Sequence, residues 1–348
     1  MSPPSYDSTG VEYYTIPSFK FVSGPSTNIR VAYRCFNPSA QKAVCIPTCF
    51  GGRINTTLSF TAEDQALHAY RVIVVAMLGN GESSSPSNHP EFPKSLDYRD
   101  CINAQHQLLT NHLGIKELEA VIGFSMGGQQ AYHWACMYPK FMKYAVPICT
   151  SAKTSLHNYA FIEGPIAALT NSIDYEDGAF RAKGIKPTRG LRAFGRAYCA
   201  WAMSAPWFRE RQFEKMGFSN VEDFIQSNWE DAFEAWDPED VLILARMWQA
   251  GDIGKVREDG DYLKTLDAIE AKMLVMPSRT DTYFPPEDSE IEVQHLEHGE
   301  LAVIETVWGH MAGGGANEDD TLWMNDRIAK FIGTEPSLVG NLKQTRLE

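Results

Sequence analysis

Positive charge, long apolar runs and paired cysteines are all scarce in this chain of 348 residues. Lys and Arg number 31 against 44 Asp and Glu, a formal net charge of −13. Phosphate backbones need a basic face, so nucleic acid is excluded as a partner, and the charge excess serves solubility. No run of about 18 apolar residues exists, which leaves nothing to span a membrane. The first residues, Met1-Ser2-Pro3-Pro4-Ser5-Tyr6-Asp7, lack the basic start and apolar stretch of a secretion signal. The seven cysteines (Cys35, Cys45, Cys49, Cys101, Cys136, Cys149, Cys199) are odd in number and contain no C-x-x-C pair. Neither a zinc knuckle nor a thioredoxin motif follows, and no metal is expected. Cysteines inside apolar runs such as Ala43-Val44-Cys45-Ile46 behave as small buried hydrophobes, so a reducing, cytoplasmic location is the expectation.

What is present is ordinary globular composition, 44% hydrophobic and 22% charged, enough for one large α/β domain or a domain with an insertion. Strand-like runs come first, at Ile16 to Val22, Arg30 to Phe36 and Ala43 to Thr48. The run Arg71 to Met77 is apolar almost throughout, as a strand covered on both faces requires. Asp97 to Leu113 has helical spacing and closes on Gly114. A short strand at Glu119 to Gly123, a helix at Gly127 to Tyr138 and a strand at Ala145 to Cys149 continue the alternation. The fold class is therefore α/β, a mostly parallel sheet with helices on both faces.

The texture changes after Thr150. From 151 to 266 helical segments rich in large aromatics replace the strands, with Trp201, Trp207, Phe208, Phe213, Phe224, Trp229, Phe233, Trp236 and Trp248 among them. Alternation resumes at Ala271 to Met276 and Leu301 to Glu305, and a helix at Asp319 to Phe331 finishes it. This divides the chain into a core, 1–150 with 267–348, and a helical insertion, 151–266, expected to be a lid over the carboxyl ends of the strands. The competing reading is a helical layer that only thickens the core.

Gly123-Phe124-Ser125-Met126-Gly127 matches G-x-S-x-G between a strand and a helix. A sharp strand-to-helix turn there lifts the Ser125 hydroxyl above the sheet and leaves no room for side chains at 123 and 127. The Met126 N–H, at the helix start, can donate to an oxyanion. Serine needs a base, and nine histidines compete for the role. His133 lies on the nucleophile's own helix. His68, His106 and His112 precede the serine, His157 opens the insertion, and His295 and His298 fall in a polar connection. His310 follows the last strand by a short loop, where the order Ser, acid, His places the base. The acid should follow the penultimate strand, and Asp281 does so. Asp288 and Glu287 are substitutes beyond two prolines. A second oxyanion donor is expected from Thr48-Cys49-Phe50-Gly51-Gly52. The N–H of Phe50 is nominated, with Gly51 as its neighbour in the substrate site, since glycines allow close backbone approach.

Ser125-Met126-Gly127-Gly128 with Gln130, Ala131 and Trp134 resembles the nucleophile segment of homoserine O-acetyltransferases, a family of the α/β-hydrolase fold. Asp281 with Phe284-Pro285-Pro286-Glu287 is similar to the family's acid segment, Gly309-His310 to its histidine segment, and Leu113-Gly114-Ile115 also fits. The resemblance runs from about Tyr33 to Ile332 and is weakest in the lid. It implies a helical lid that often contributes to a homodimer, and a ping-pong route through an acyl-serine. It also implies that Arg196 corresponds to the lid arginine that meets an amino-acid carboxylate, a surface role for Arg196 being the alternative. Family members that use homoserine carry an aspartate directly after the histidine, which meets the substrate's ammonium. Here that residue is Met311, so the chain looks more like a hydrolase-like branch.

The expectation is a serine-dependent enzyme hydrolysing a small-molecule ester or thioester without a cofactor. A transferase drawing acetyl from acetyl-CoA to an alcohol acceptor, homoserine-like or a secondary metabolite, is the first alternative. A binding protein or non-hydrolytic catalyst on the same fold is the second.

Overall fold

A computed structural model of the chain describes residues 7–333. Residues 1–6 and 334–348, which hold most of the segment read for a leader and the ends of the expected core, lie outside the described residues.

One eight-stranded sheet runs β1-β2-β4-β3-β5-β6-β7-β8. The strands are β1 (Glu12–Lys20), β2 (Ser26–Phe36), β3 (Ala43–Pro47), β4 (Arg71–Val75), β5 (Leu118–Phe124), β6 (Met142–Ile148), β7 (Lys272–Val275) and β8 (Gly299–Leu301). β1 and β2 are antiparallel to their neighbours, and all pairs from β4 to β8 are parallel. Every residue of β3 is buried, and β4 is buried from Val72 onward. An uninterrupted apolar run of this kind cannot tolerate a wet face, which places both strands inside the sheet with helices on either side.

β1 begins four residues earlier than the apolar pattern predicts. Its register slips between Ile16 and Phe19, where Ser18 has φ +49°. The bulge puts both apolar residues on the inner face and breaks the two-residue period on which the reading depended. The helix α1 (Tyr98–Gln107) passes into a π turn, Leu108–His112, before Gly114 at φ +66° ends it.

The helix α2 (Met126–Met137) follows β5 directly. Between β6 and β7 every described element is helical, from α3 (Leu156–Thr170) and α4 (Thr188–Ala202) to the helix Tyr262–Asp267. An antiparallel bridge between Lys153 and Asp252 closes the base of this layer. α4 buries Leu191, Phe194, Tyr198 and Ala202 along one stripe and offers Arg192 and Arg196 on its other side. Among the described residues no helix is long and apolar enough to cross a membrane.

Candidate active site

Among the described glycines, the shortest approach falls in the turn between β5 and α2. Ser125 has φ +57° and ψ −125°, a conformation that costs a non-glycine residue energy and survives only where its surroundings enforce it. The Ser125 N–H donates to the Ile148 carbonyl at 2.9 Å, and its carbonyl accepts from Gly128 and Gln129 at 2.8 and 3.1 Å. A β carbon on Gly123 would lie 2.1 Å from the Gly127 carbonyl oxygen, and one on Gly127 2.6 Å from that of Pro47. Both flanking glycines are thus required by backbone approach.

His310 reaches the serine from the turn Gly309–Gly314, with Nε2 2.9 Å from Ser125 Oγ. Its Nδ1 lies 2.7 Å from Asp281 Oδ2. A carboxylate can only accept, so the proton sits on Nδ1 and leaves Nε2 open to accept from the hydroxyl. Asp281 is held in turn, its Oδ1 accepting from the amides of Tyr283 at 2.7 Å and Phe284 at 3.1 Å. Phe124, Tyr283 and Phe284 pack around the imidazole with ring centroids 4.6–5.6 Å away. Ser125, Asp281 and His310 are 2%, 4% and 3% exposed, a dryness that strengthens each polar contact. The alternative acids Glu287 and Asp288 lie in the first turn of the helix Pro286–Gln294.

Phe50, Gly51, Ser125 and His310 all border one cavity of about 300 Å³. Met126 is buried at the first position of α2, where helical amides have no intrahelical partner. Among the described residues neither the Phe50 nor the Met126 amide is spent on a backbone carbonyl. The loop carrying Phe50 is fixed at its base, where Thr48 Oγ1 accepts from Met77 N and the Thr48 carbonyl accepts from Gln130 Nε2. It is fixed at its tip by the Phe50 ring, which packs 5.6–6.1 Å from Tyr198, Trp248, Phe194 and Phe233. The segment Leu78 to Pro86 braces the same loop. Glu82 accepts from Ile54 N at 3.0 Å, and Arg53 donates to the Asn80 carbonyl. Burial pushes the nearby Cys49 thiol up to about 12, so it stays protonated and offers no rival nucleophile.

The structure places Arg196 away from the cavity. Its guanidinium is taken by Glu222 and Glu230, and it is absent from the described residues that line the cavity. Arg192 joins Glu230, Asp231 and Glu234 beside it. The two arginines clamp α4 to the helical turns at 221–234, with three N–H donors of each guanidinium spent on these carboxylates.

Apart from Met311, the rest of the wall is given no site role by the motifs. Asn228, Trp229, Ala232, Phe233 and Trp236 line the cavity on the side of the helical layer. Leu58, Phe60 and Met311 face it as well. The recurrence of Trp229, Phe233 and Trp236 at four- and three-residue spacing was the available signal for one inward helical face. No Asp, Glu, Lys or Arg appears among the described lining residues. Nor do three His, Cys, Asp or Glu side chains gather into a group that could hold a metal ion among the described residues.

Residues 42–171 match the family model described as alpha/beta hydrolase fold. The chain is 32% identical over 307 residues to an ethyl acetate hydrolase of Pseudomonas veronii, covering 86% of this chain and 87% of that protein. It is 25% identical over 338 residues to a homoserine O-acetyltransferase of Trichormus variabilis, covering 90% and 92%. The solved structure of the acetyl esterase MekB superposes with a TM-score of 0.87 at 29% identity, covering 93% of this chain and 97% of the other. With this fold, and with relatives of these two kinds along most of its length, the chain belongs to the α/β-hydrolase family, as an enzyme of the group that joins esterases to homoserine O-acyltransferases.

Proposed function

We propose that this enzyme hydrolyses small, uncharged carboxylic esters through an acyl-serine, and that Ser125, His310 and Asp281 carry the reaction. The observation that carries the reading is the relay of two short hydrogen bonds from Asp281 through His310 to the Ser125 hydroxyl. His310 Nε2 takes the hydroxyl proton as Oγ attacks the carbonyl carbon, and the carbonyl π pair moves to oxygen. The amides of Met126 and Phe50 donate to that oxyanion. Collapse re-forms the carbonyl and breaks the bond to the alkoxy oxygen, which leaves with the proton from His310. Water then gives its proton to His310, attacks the acyl-serine and releases the acid, and Ser125 recovers its proton.

The wall favours this over homoserine acylation. An amino acid brings an ammonium and a carboxylate, and burying either unpaired is costly. The described lining offers neither an acid nor a base of fixed charge, Met311 follows the histidine, and Arg196 is committed elsewhere. The segment 151–266 acts as the lid. Leu156, Tyr159 and Ile173 stand exposed on it, which supports a homodimer through the lid, to be checked by sedimentation. Seven unpaired thiols support a reducing, cytoplasmic setting.

Ser125→Ala should keep its fold and lose about 10⁴-fold or more of kcat on nitrophenyl acetate. Wild-type turnover by that variant would end the proposal. Acetyl-CoA cleavage that depends on an added alcohol would favour the transferase, and failure of a fluorophosphonate to label Ser125 would favour a binding role.

A further inference from the structure

The cavity wall is apolar except at a few side chains, most of them engaged; the Trp229 indole N–H is buried without a partner but can only donate. Thr56 and Thr57 both donate to the Arg53 carbonyl, at 3.2 and 2.8 Å. Ser125 and His310 bond each other. Asn228 alone lines the cavity with a carboxamide that has no hydrogen-bond partner among the described residues.

Its position is built rather than incidental. Asn228 sits in a π turn, Ile225–Glu230, and such turns redirect side chains and gather at functional sites. It shares the inward face with Trp229, Ala232 and Phe233. Glu230, two residues on, is gripped by both Arg192 and Arg196, which fixes the turn against α4. The half-buried amide can both donate and accept, and a polar group so placed is open to exchange with solvent water.

We propose that Asn228 is a specificity residue that binds a second oxygen of the substrate, so that the preferred class is a neutral ester carrying an ether, hydroxyl or keto oxygen besides its ester group. The inference rests on the ester-hydrolase reading. An ester with such an oxygen replaces solvent water at Asn228, whereas a purely alkyl ester of the same size displaces that water and returns nothing.

Two matched pairs test this: 2-methoxyethyl acetate against n-butyl acetate, and ethyl methoxyacetate against ethyl butanoate. In each pair one CH2 is exchanged for oxygen, on the alcohol side in the first and on the acyl side in the second. The ratio of kcat/KM within a pair, divided by the ratio of alkaline hydrolysis rates, cancels both intrinsic reactivity and the amount of folded enzyme. Wild type should favour the oxygenated partner of at least one pair by about three- to tenfold, the worth of one net hydrogen bond. Asn228→Leu should remove that preference and Asn228→Gln should restore part of it. A corrected ratio near unity in wild type for both pairs, or one that survives Asn228→Leu, overturns the assignment. If wild type turns over none of the four esters, the hydrolase reading fails first and takes this inference with it.

Discussion

Replacing Gly123 by alanine tests the geometry on which the chemistry depends, because it adds one methyl group and no charge. The new carbon would lie 2.1 Å from the Gly127 carbonyl oxygen, 2.2 Å from its carbon and 2.7 Å from the Gly128 nitrogen. Real β carbons essentially never come within 3.0 Å of such atoms, and all three belong to the backbone. No side chain can swing aside, so one arm of the turn must retreat by about 1 Å, a displacement that costs about 10² in rate when it falls on reacting groups. Ser125 rides on that turn. Its 2.9 Å contact with His310 Nε2 would open past the hydrogen-bonding range, and the Met126 amide would leave its line.

The expected result is a kcat lowered about 100-fold or more, equivalent to about 3 kcal/mol in the barrier, with a stability loss of about 1–3 kcal/mol. A graded series sharpens the test. Gly127→Ala meets the Pro47 carbonyl at 2.6 Å, a milder backbone clash, whereas Gly314→Ala meets only the Phe124 ring at 3.0 Å. A ring can tilt, so the last substitution should cost least. Steady-state kinetics on nitrophenyl acetate, fluorophosphonate titration of active sites and thermal melts would measure all three. Wild-type kcat in Gly123→Ala, or Gly314→Ala proving the worst of the series, would refute the reasoning.

Two further outcomes follow from named contacts. Asp281→Asn should fold and lose about 10³–10⁴ in kcat, because a carboxamide no longer holds the His310 proton on Nδ1; a loss below about tenfold would return the acid's role to Glu287 or Asp288. His133 is buried against Tyr98 and bonded through Nδ1 to the Gln129 carbonyl at 2.7 Å, and burial lowers it from 6.5 to about 4. Its folded value lies below its unfolded one, so the stability it contributes is present above pH 6.5 and lost as pH falls through 4. The loss amounts to at most about 3 kcal/mol. His133→Asn keeps a donor for the carbonyl and removes the titration, so urea melts at pH 7.5 and 4.5 should lie closer together than in wild type; an unchanged gap would refute it.

The sheet was legible from residue types because its inner strands are buried on both faces and carry unbroken apolar runs, as β3 and β4 do. The edge was less so. β1 hides a bulge at Ser18, and a bulge shifts the two-residue alternation by which a half-buried strand is recognised. The strand β8 offers only Gly299–Leu301, where the apolar run suggested Leu301 to Glu305. Pairing with β7 decides that register, and pairing is not written in the strand's own residues.

The same division runs through the site. Ser125, Asp281 and His310 could be placed because each is bound to a strand end, and strand ends follow from the order of the sheet. Arg196 could not, because a guanidinium is claimed by whichever carboxylates fold beside it. Here Glu222 and Glu230, 26 and 34 residues away along the chain, are those neighbours. Phe50 shows both sides at once. The loop was locatable from its two glycines, but what holds the loop is a ring packed among Tyr198, Phe194, Phe233 and Trp248, all from the helical layer. On the proposed mechanism the chemistry follows from local turns on a regular sheet, and substrate choice from contacts between that sheet and an irregular helical layer. Selectivity should therefore change with residues such as Asn228, while the reaction survives as long as the relay to Ser125 stays closed.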